Sequence, residues 1–220
     1  MTRAALLWVF RRLLRVHGPQ HWWPGETPFE IMVGAILTQN TSWTNVERAI
    51  DALSAAGMLD PQQIVAARKM RVARLIRPSG YFNLKAERLR AYCRWYLEHG
   101  GYPRLRRWST ERLRRALLAV HGVGPETADD ILLYAFGRPV FVIDAYTRRL
   151  FSRLGQLDGS APYDTLRLGF ESTLGPDEAL FNEYHALIVA HAKDVCRPRP
   201  RCTVCCLAGR CPGREHGLRG

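Results

Sequence analysis

The stretch Leu117-Leu118-Ala119-Val120-His121-Gly122-Val123-Gly124-Pro125-Glu126-Thr127-Ala128 decides how the rest of the chain is read. An apolar helical pattern runs into Gly122-Val123-Gly124, and a second helix starts at Pro125, whose fixed φ suits the first helical turn. Two glycines permit backbone angles that other residues resist, so amide N–H groups can turn outward where the second helix begins. Val123 is the apolar plug of the turn. A Gly-x-Gly alone also fits an ordinary turn between helices. With a helix on each side, proline at the first helical position and a basic chain around it, the segment reads as a sequence-neutral grip on phosphate. Gly122, Val123 and Gly124 are its candidate contacts.

The charge supports that reading. Over 220 residues, 32 Lys and Arg stand against 20 Asp and Glu, a formal net charge of +12. Such an excess points to a polyanionic partner, nucleic acid before anionic membrane, with plain solubility as the bland alternative. The only lysines are Lys69, Lys85 and Lys193, which leaves few candidates for amine chemistry. Arginine keeps its charge and forks onto phosphates. The apolar run at 4–10 is too short to span a membrane, and Arg11, Arg12 and Arg15 follow it. It lacks a small-residue cleavage site and reads as an amphipathic first helix burying Leu6, Val9, Phe10, Leu13 and Leu14. These features predict a cytoplasmic enzyme with reduced thiols, nucleoid-associated if bacterial.

Further helices are predicted over 29–37, entered through Thr27-Pro28, and over 44–55, 61–68, 72–76, 84–99, 110–120, 126–136, 145–154, 163–174 and 177–192. No alternating strand pattern, repeat or low-complexity segment interrupts them. The fold class is all-α.

About twenty residues beyond the glycines lies Val142-Ile143-Asp144-Ala145-Tyr146-Thr147-Arg148-Arg149. Asp144 follows an apolar strip and stands where a helix begins, so an N-cap role is expected in any case. A carboxylate near a nucleic-acid grip can also face a sugar. There it stabilises oxocarbenium-like charge as a glycosidic bond breaks, or orients the attacking water.

Cys196, Cys202, Cys205 and Cys211 form a C-x5-C-x2-C-x5-C run, with Cys206 beside it and Cys93 the only other cysteine. Disulfides find no other sign of an oxidising compartment. A structural zinc is usually built from two close C-x2-4-C pairs, and only one is present. The uneven outer spacing suits a [4Fe–4S] cubane, whose corners spread the ligands further apart. Cubane, zinc and disulfides remain the readings, in that order.

The hairpin, the aspartate and the four-cysteine loop in this order resemble the helix–hairpin–helix DNA glycosylase superfamily. The likeness is to its endonuclease III branch, whose members often carry a [4Fe–4S] cluster, and it covers nearly the whole chain. It implies that the hairpin grips DNA, that Asp144 is catalytic and that Cys196, Cys202, Cys205 and Cys211 hold the cluster. The family usually has six residues between the first two cysteines and this chain has five, so Cys206 competes with Cys205. Cys205 restores the family's remaining spacings. Bifunctional members carry a lysine two residues beyond the hairpin's last glycine, where it forms a Schiff base with the sugar. Here Glu126 stands there, and a carboxylate forms no imine. The resemblance therefore implies monofunctional hydrolysis through Asp144, without strong AP lyase activity.

Four segments resemble the 3-methyladenine DNA glycosylase III type: His21-Trp22-Trp23-Pro24, Ile36-Leu37-Thr38-Gln39-Asn40-Thr41-Ser42-Trp43, Arg77 through Ala86, and Gly122 through Asp129. That type excises alkylated purines from an aromatic pocket. The likeness implies pocket roles for Trp22 and Trp43, with Trp23 a neighbour, and places Glu126 at the pocket floor. Stacking a cationic purine between rings is worth about 0.5–2 kcal/mol per contact. Core packing is the competing reading for the tryptophans, and a helix-dipole acid for Glu126. Gln39 and Asn40 fall where family members push a polar side chain into the gap left by a flipped base, or simply cap a helix. His185 is read as a core histidine on a helix near Asp144.

The expected architecture is two-lobed. Residues 27–137 form a six-helix barrel-like lobe with the hairpin. Residues 1–26 and 138–220 form a second helical lobe with the cluster loop 196–211. A monomer is expected to bind double-stranded DNA containing a damaged base across a cleft between the lobes. The activity implied is base excision of alkylated purines such as 3-methyladenine. Its rivals are an endonuclease III-like glycosylase/AP lyase, a uracil or thymine mismatch glycosylase, and a non-catalytic damage-binding protein.

Overall fold

The computed structural model describes residues 1–23 and 25–214. Pro24 of the tryptophan motif and residues 215–220 of the expected second lobe lie outside the described residues. The helices run α1 (Arg3–His17), α2 (Pro28–Leu37), α3 (Trp43–Ala55), α4 (Pro61–Ala66), α5 (Lys69–Leu75), α6 (Phe82–Glu98), α7 (Gly101–Leu105), α8 (Thr110–Leu118), α9 (Pro125–Asp130), α10 (Ala145–Arg153), α11 (Tyr163–Leu174) and α12 (Glu178–Asp194). No strand occurs among the described residues, and the fold is all-α.

Side-chain caps set many of these starts. Thr2, Thr27, Asp60, Ser109, Asp144 and Asp177 each accept from the backbone N–H three residues on. Each satisfies a donor that has no intrahelical partner, worth about 1 kcal/mol. Two elements depart from expectation. α7 was hidden because Gly100, Gly101 and Pro103 read as a turn. Both glycines take positive φ, while Pro103 lies in the first helical turn, where a missing N–H costs nothing. The helix expected over 126–136 stays α-helical only to Asp130 and then widens into a π-helical turn, Ile131–Ala135, with Phe136 N–H donating to Ile131 O at 3.2 Å.

The chain divides into two compact units, Trp23–Arg138 and Met1–Trp22 with the chain from Pro139 onward. In the second of these, α12 packs against α1 and α10. Phe141 stacks on Phe170 at 4.2 Å between ring centroids, and Phe151, Phe181 and Tyr184 close edge-on around them. Tyr184 Oη donates to Leu6 O at 2.7 Å, tying α12 to the first helix. The discontinuous unit exists because the apolar face of α1 is buried against helices near the other end of the chain.

In Trp23–Arg138, α2 is buried from Met32 to Leu37 and packs on α3, α6 and the π-helical turn. Its C-terminal end is held by a lysine. Lys85 on α6 is 1% exposed, and its Nζ donates to Leu37 O at 2.8 Å and Ser79 O at 2.6 Å. Burial pushes its pKa down to about 8, with the Arg88 charge adding. Lys85→Met keeps the stem and strands two buried carbonyls, so we expect a loss of about 2–5 kcal/mol in urea denaturation at pH 7. A native-like midpoint would show that Lys85 does not hold α2. Because the folded state binds this proton less tightly than the unfolded chain, wild-type stability should also rise relative to the variant between about pH 8 and 10.5.

Candidate functional site

The turn between α8 and α9 is built on one obligatory glycine. Gly122 has φ +86°, and a Cβ there would overlap the Arg88 side chain. Gly124 differs from expectation: at φ −89° and ψ 177° its backbone is one any residue adopts, and nothing lies within 4 Å of where its Cβ would be. What Gly124 provides is open space at the start of α9, where no side chain caps the helix. Val123 is buried, as its plug role requires, and its N–H donates to Val120 O at 3.0 Å. That amide therefore serves the turn itself.

Gln39 and Asn40, just beyond α2, take different roles. Gln39 Nε2 donates to Gly122 O at 3.2 Å and Thr127 Oγ1 at 2.9 Å, while Arg88 Nη1 donates to its Oε1. Its amide braces the hairpin. Asn40 is exposed in the left-handed region at φ +53°. A second exposed residue in that region was not singled out from the sequence: Tyr81, 69% exposed at φ +44°, immediately before α6. Such angles cost a non-glycine residue roughly 1–3 kcal/mol. Its sequence signals were its place in the segment Arg77 through Ala86 and an aromatic after Gly80 at a helix start.

The aromatic cluster of this unit centres on Trp23, which the sequence reading had only as a neighbour. Its ring meets Trp43 edge-on at 5.0 Å and Tyr134 at 4.9 Å. Gly34 on α2 makes this possible. A Cβ there would stand 3.2 Å from Trp23 Nε1 and 3.4 Å from Trp43 Cη2. A glycine within the apolar run 31–37 was the available sign, and Tyr134 was hidden in the expected 126–136 helix. Trp43 Nε1 donates to Glu47 at 2.9 Å. Glu126 is exposed in the first turn of α9.

In the other unit, Asp144 is 8% exposed and caps α10, its Oδ1 accepting from Thr147 N at 2.6 Å. His185 on α12 brings Nε2 to 3.4 Å from Oδ2, and the Trp22 ring lies 6.0 Å from the imidazole. Burial pushes the Asp144 carboxyl up, but the His185 ring and the Thr147 amide outweigh it and hold the carboxyl below its ordinary value. The carboxylate is thus ionised at neutral pH. His185, read from sequence as a core histidine, is buried and also touches this acid.

The same unit carries the cysteine loop. Cys196, Cys202, Cys205 and Cys211 line one small cavity, open in part to solvent, with Leu150, Leu154 and Leu207 among its apolar walls. Cys206 is not in the lining; its carbonyl receives Arg12 Nε at 3.3 Å. Among the described residues, no three His, Cys, Asp or Glu close on one point as a single metal ion demands. All four cysteines belong to the lining of that one cavity. Arg149 and Arg153 on α10 pin the loop through the carbonyls of Ala192, Cys196, Arg197 and Pro198. Burial pushes the Cys205 thiol up to about 11 and, with His17 adding, the His191 ring down to about 4.

Comparison with known proteins matches residues 33–175 to the family described as HhH-GPD superfamily base excision DNA repair protein. A Methanocaldococcus jannaschii protein named "Putative DNA repair glycosylase MJ1434" is 46% identical over 200 residues, covering 90% of this chain and 91% of that one. The H. pylori 3-methyladenine DNA glycosylase MagIII, solved bound to 1,N6-ethenoadenine, superposes with a TM-score of 0.76 at 28% identity, over 88% of this chain and 98% of that one. A non-covalent endonuclease III–DNA complex superposes with a TM-score of 0.86 over 100% of both chains at 18% identity, a likeness of fold.

The two glycines separate strain from contact. Gly122→Ala should lose roughly 1–3 kcal/mol of stability through its φ and Arg88. Gly124→Ala should stay within about 0.5 kcal/mol of wild type yet weaken binding to any duplex by roughly tenfold, because its methyl fills the space a phosphate would take. Unchanged duplex binding by Gly124→Ala, measured by fluorescence anisotropy, would remove that space from the DNA contact.

Proposed function

The chain belongs to the HhH-GPD superfamily of base excision DNA repair proteins, and on that premise we propose that it is a monofunctional DNA glycosylase hydrolysing the N-glycosidic bond of alkylated purines such as 3-methyladenine. The observation that carries this reading is Asp144, a buried carboxylate kept ionised by the Thr147 amide and the His185 ring. As the bond from C1′ to the purine breaks, its electron pair leaves with the base, and a cationic alkylated purine departs neutral. Asp144 stabilises the positive charge left on the deoxyribose and orients the water whose oxygen bonds to C1′, taking up the water's proton.

Lysine placement supports a route without a Schiff base. Glu126 occupies the position of the bifunctional lysine, Lys85 is buried against two backbone carbonyls, and Lys69 lies 3.6 Å from Glu87. The rings of Trp23, Trp43 and Tyr134 offer faces that favour a cationic base over its neutral parent. Trp22 stands with His185 beside Asp144. The turn at Gly122 and Gly124 grips the phosphate backbone, with Val123 as its buried plug and Gln39 as the brace. Asn40 and Tyr81, exposed and pre-set in the left-handed region, enter the gap left by the extruded nucleotide.

Cys196, Cys202, Cys205 and Cys211 would hold a [4Fe–4S] cluster. Four thiols lining one cavity, with the uneven outer spacing of the run, support a cluster over a lone zinc. When bound, such a group cross-links the loop, and the exposed Arg197, Arg199, Arg201 and Arg210 are then held ready for phosphates.

Asp144→Asn should cut base release from 3-methyladenine duplexes at least about 100-fold while duplex affinity stays within a few-fold. Residual full activity would take Asp144 out of the reaction. Across a panel of single-lesion duplexes, alkylated purines should be released ahead of uracil, thymine mismatches and oxidised pyrimidines. Borohydride should trap no covalent adduct. Iron analysis tests the ligand set: about four irons per chain in wild type and Cys206→Ser, with most lost in Cys205→Ser. The reverse pattern would make Cys206 the ligand.

A further inference from the structure

His191 on α12 is 1% exposed, and both of its ring nitrogens are engaged. Nε2 lies 3.4 Å from Cys205 Sγ, and Nδ1 lies 3.0 Å from Nε2 of His17, a half-buried residue ending α1. Each nitrogen of a neutral imidazole either donates or accepts, never both. A metal-bound cysteine is a thiolate, which only accepts. Ligation of Cys205 therefore dictates the whole chain of contacts. Nε2 of His191 must carry the hydrogen, Nδ1 must present its lone pair, and His17 Nε2–H must donate to it. With a free thiol the arrangement can run the other way, Sγ–H donating to Nε2 and His191 Nδ1–H to His17.

We propose that His191, oriented by His17, donates a hydrogen bond to the Cys205 sulfur of the [4Fe–4S] centre and so sets the balance between its oxidised and reduced forms. This rests on the cluster reading above. Electron density added to such a centre falls partly on its cysteine sulfurs, so a donor there favours the more reduced form. The burial of His191 shelters its side of the contact from water and strengthens the interaction. Arg153 Nη1 stands 3.4 Å from Cys196 Sγ and is untouched by changes at His191. His191 is thus a positioning residue, placed by the contact of the first and last long helices of its unit.

The test uses the purified full chain, a mediated redox titration followed by visible absorbance and electron paramagnetic resonance, and iron analysis of every sample. At the potential where wild type is half reduced, His191→Leu should show a reduced-to-oxidised ratio lower by roughly threefold to tenfold. His17→Phe, which leaves His191 but removes the group that fixes its tautomer, should shift the ratio the same way by a smaller factor. Should His191→Leu fail to take up iron, His17→Phe decides alone: a lowered ratio upholds the proposal and an unchanged one overturns it. Full iron with unchanged ratios in both variants overturns it as well. A wild-type protein without iron overturns the cluster reading itself, an outcome the metal analysis distinguishes.

Discussion

The charge on Asp144 is the constraint on which one whole unit turns. A carboxylate with 8% exposure is costly unless fixed donors replace its water. Two groups stand against it here: the Thr147 amide at the start of α10, donating at 2.6 Å, and the His185 ring brought by α12, its Nε2 3.4 Å from the other oxygen. The first requires α10 to begin at Ala145, so the preceding strip Val140–Ile143 must be buried to deliver Asp144 there, as it is. The second requires α12 to be locked in rotation. The ring stack of Phe141 on Phe170, closed by Phe181 and Tyr184, and the Tyr184 bond to Leu6 O supply that lock. The aromatic core is in this sense the support of one ionised side chain.

A parallel logic governs Trp23–Arg138. Lys85 and Arg88 lie one turn apart on α6, on the same face. Lys85 ends α2 by binding Leu37 O, and Arg88 binds Gln39, which in turn binds Gly122 O. Two like charges this close depress the Lys85 pKa in addition to its burial. That cost is accepted because the pair sets both ends of the segment between α2 and the hairpin. The hairpin is therefore not an independent module: its turn is shaped from α6, by an arginine packed where any side chain on residue 122 would be.

Features of one residue and its immediate neighbours were legible in the sequence. Caps such as Thr27 and Asp144, the apolar periods of the long helices, the cysteine run and the plug Val123 all depend on contacts within a few residues. What escaped depends on partners far along the chain. Nothing around Gly122 and Gly124 says that only the first needs a positive φ, since Arg88 decides it. The brace role of Gln39 needs Gly122, 83 residues away. Trp23 took the central aromatic position from Trp22 because Gly34 opens α2 to it. His191 looked like another helical residue until Cys205, 14 residues on, was seen beside its ring. α7 was missed because Pro103 in a first helical turn is indistinguishable by composition from Pro103 in a loop.

The proposed monofunctional chemistry and the proposed substrate constrain each other. A glycosylase with an amine nucleophile can push out a poor leaving group by forming a covalent bond to the sugar. With Glu126 in that position and Lys85 buried, the proposed reaction has no such push, and Asp144 in it stabilises charge, directs water and takes up the water's proton. The bond must then be one already close to breaking. A positively charged, alkylated purine meets that condition, because it leaves neutral and needs no strong acid. The same positive charge is what aromatic faces such as those of Trp23, Trp43 and Tyr134 select. In the proposed reaction, a glutamate at 126 in place of a lysine and an aromatic cluster are thus two sides of one requirement: chemistry weak enough to spare intact DNA, aimed at bases whose own charge supplies the missing drive.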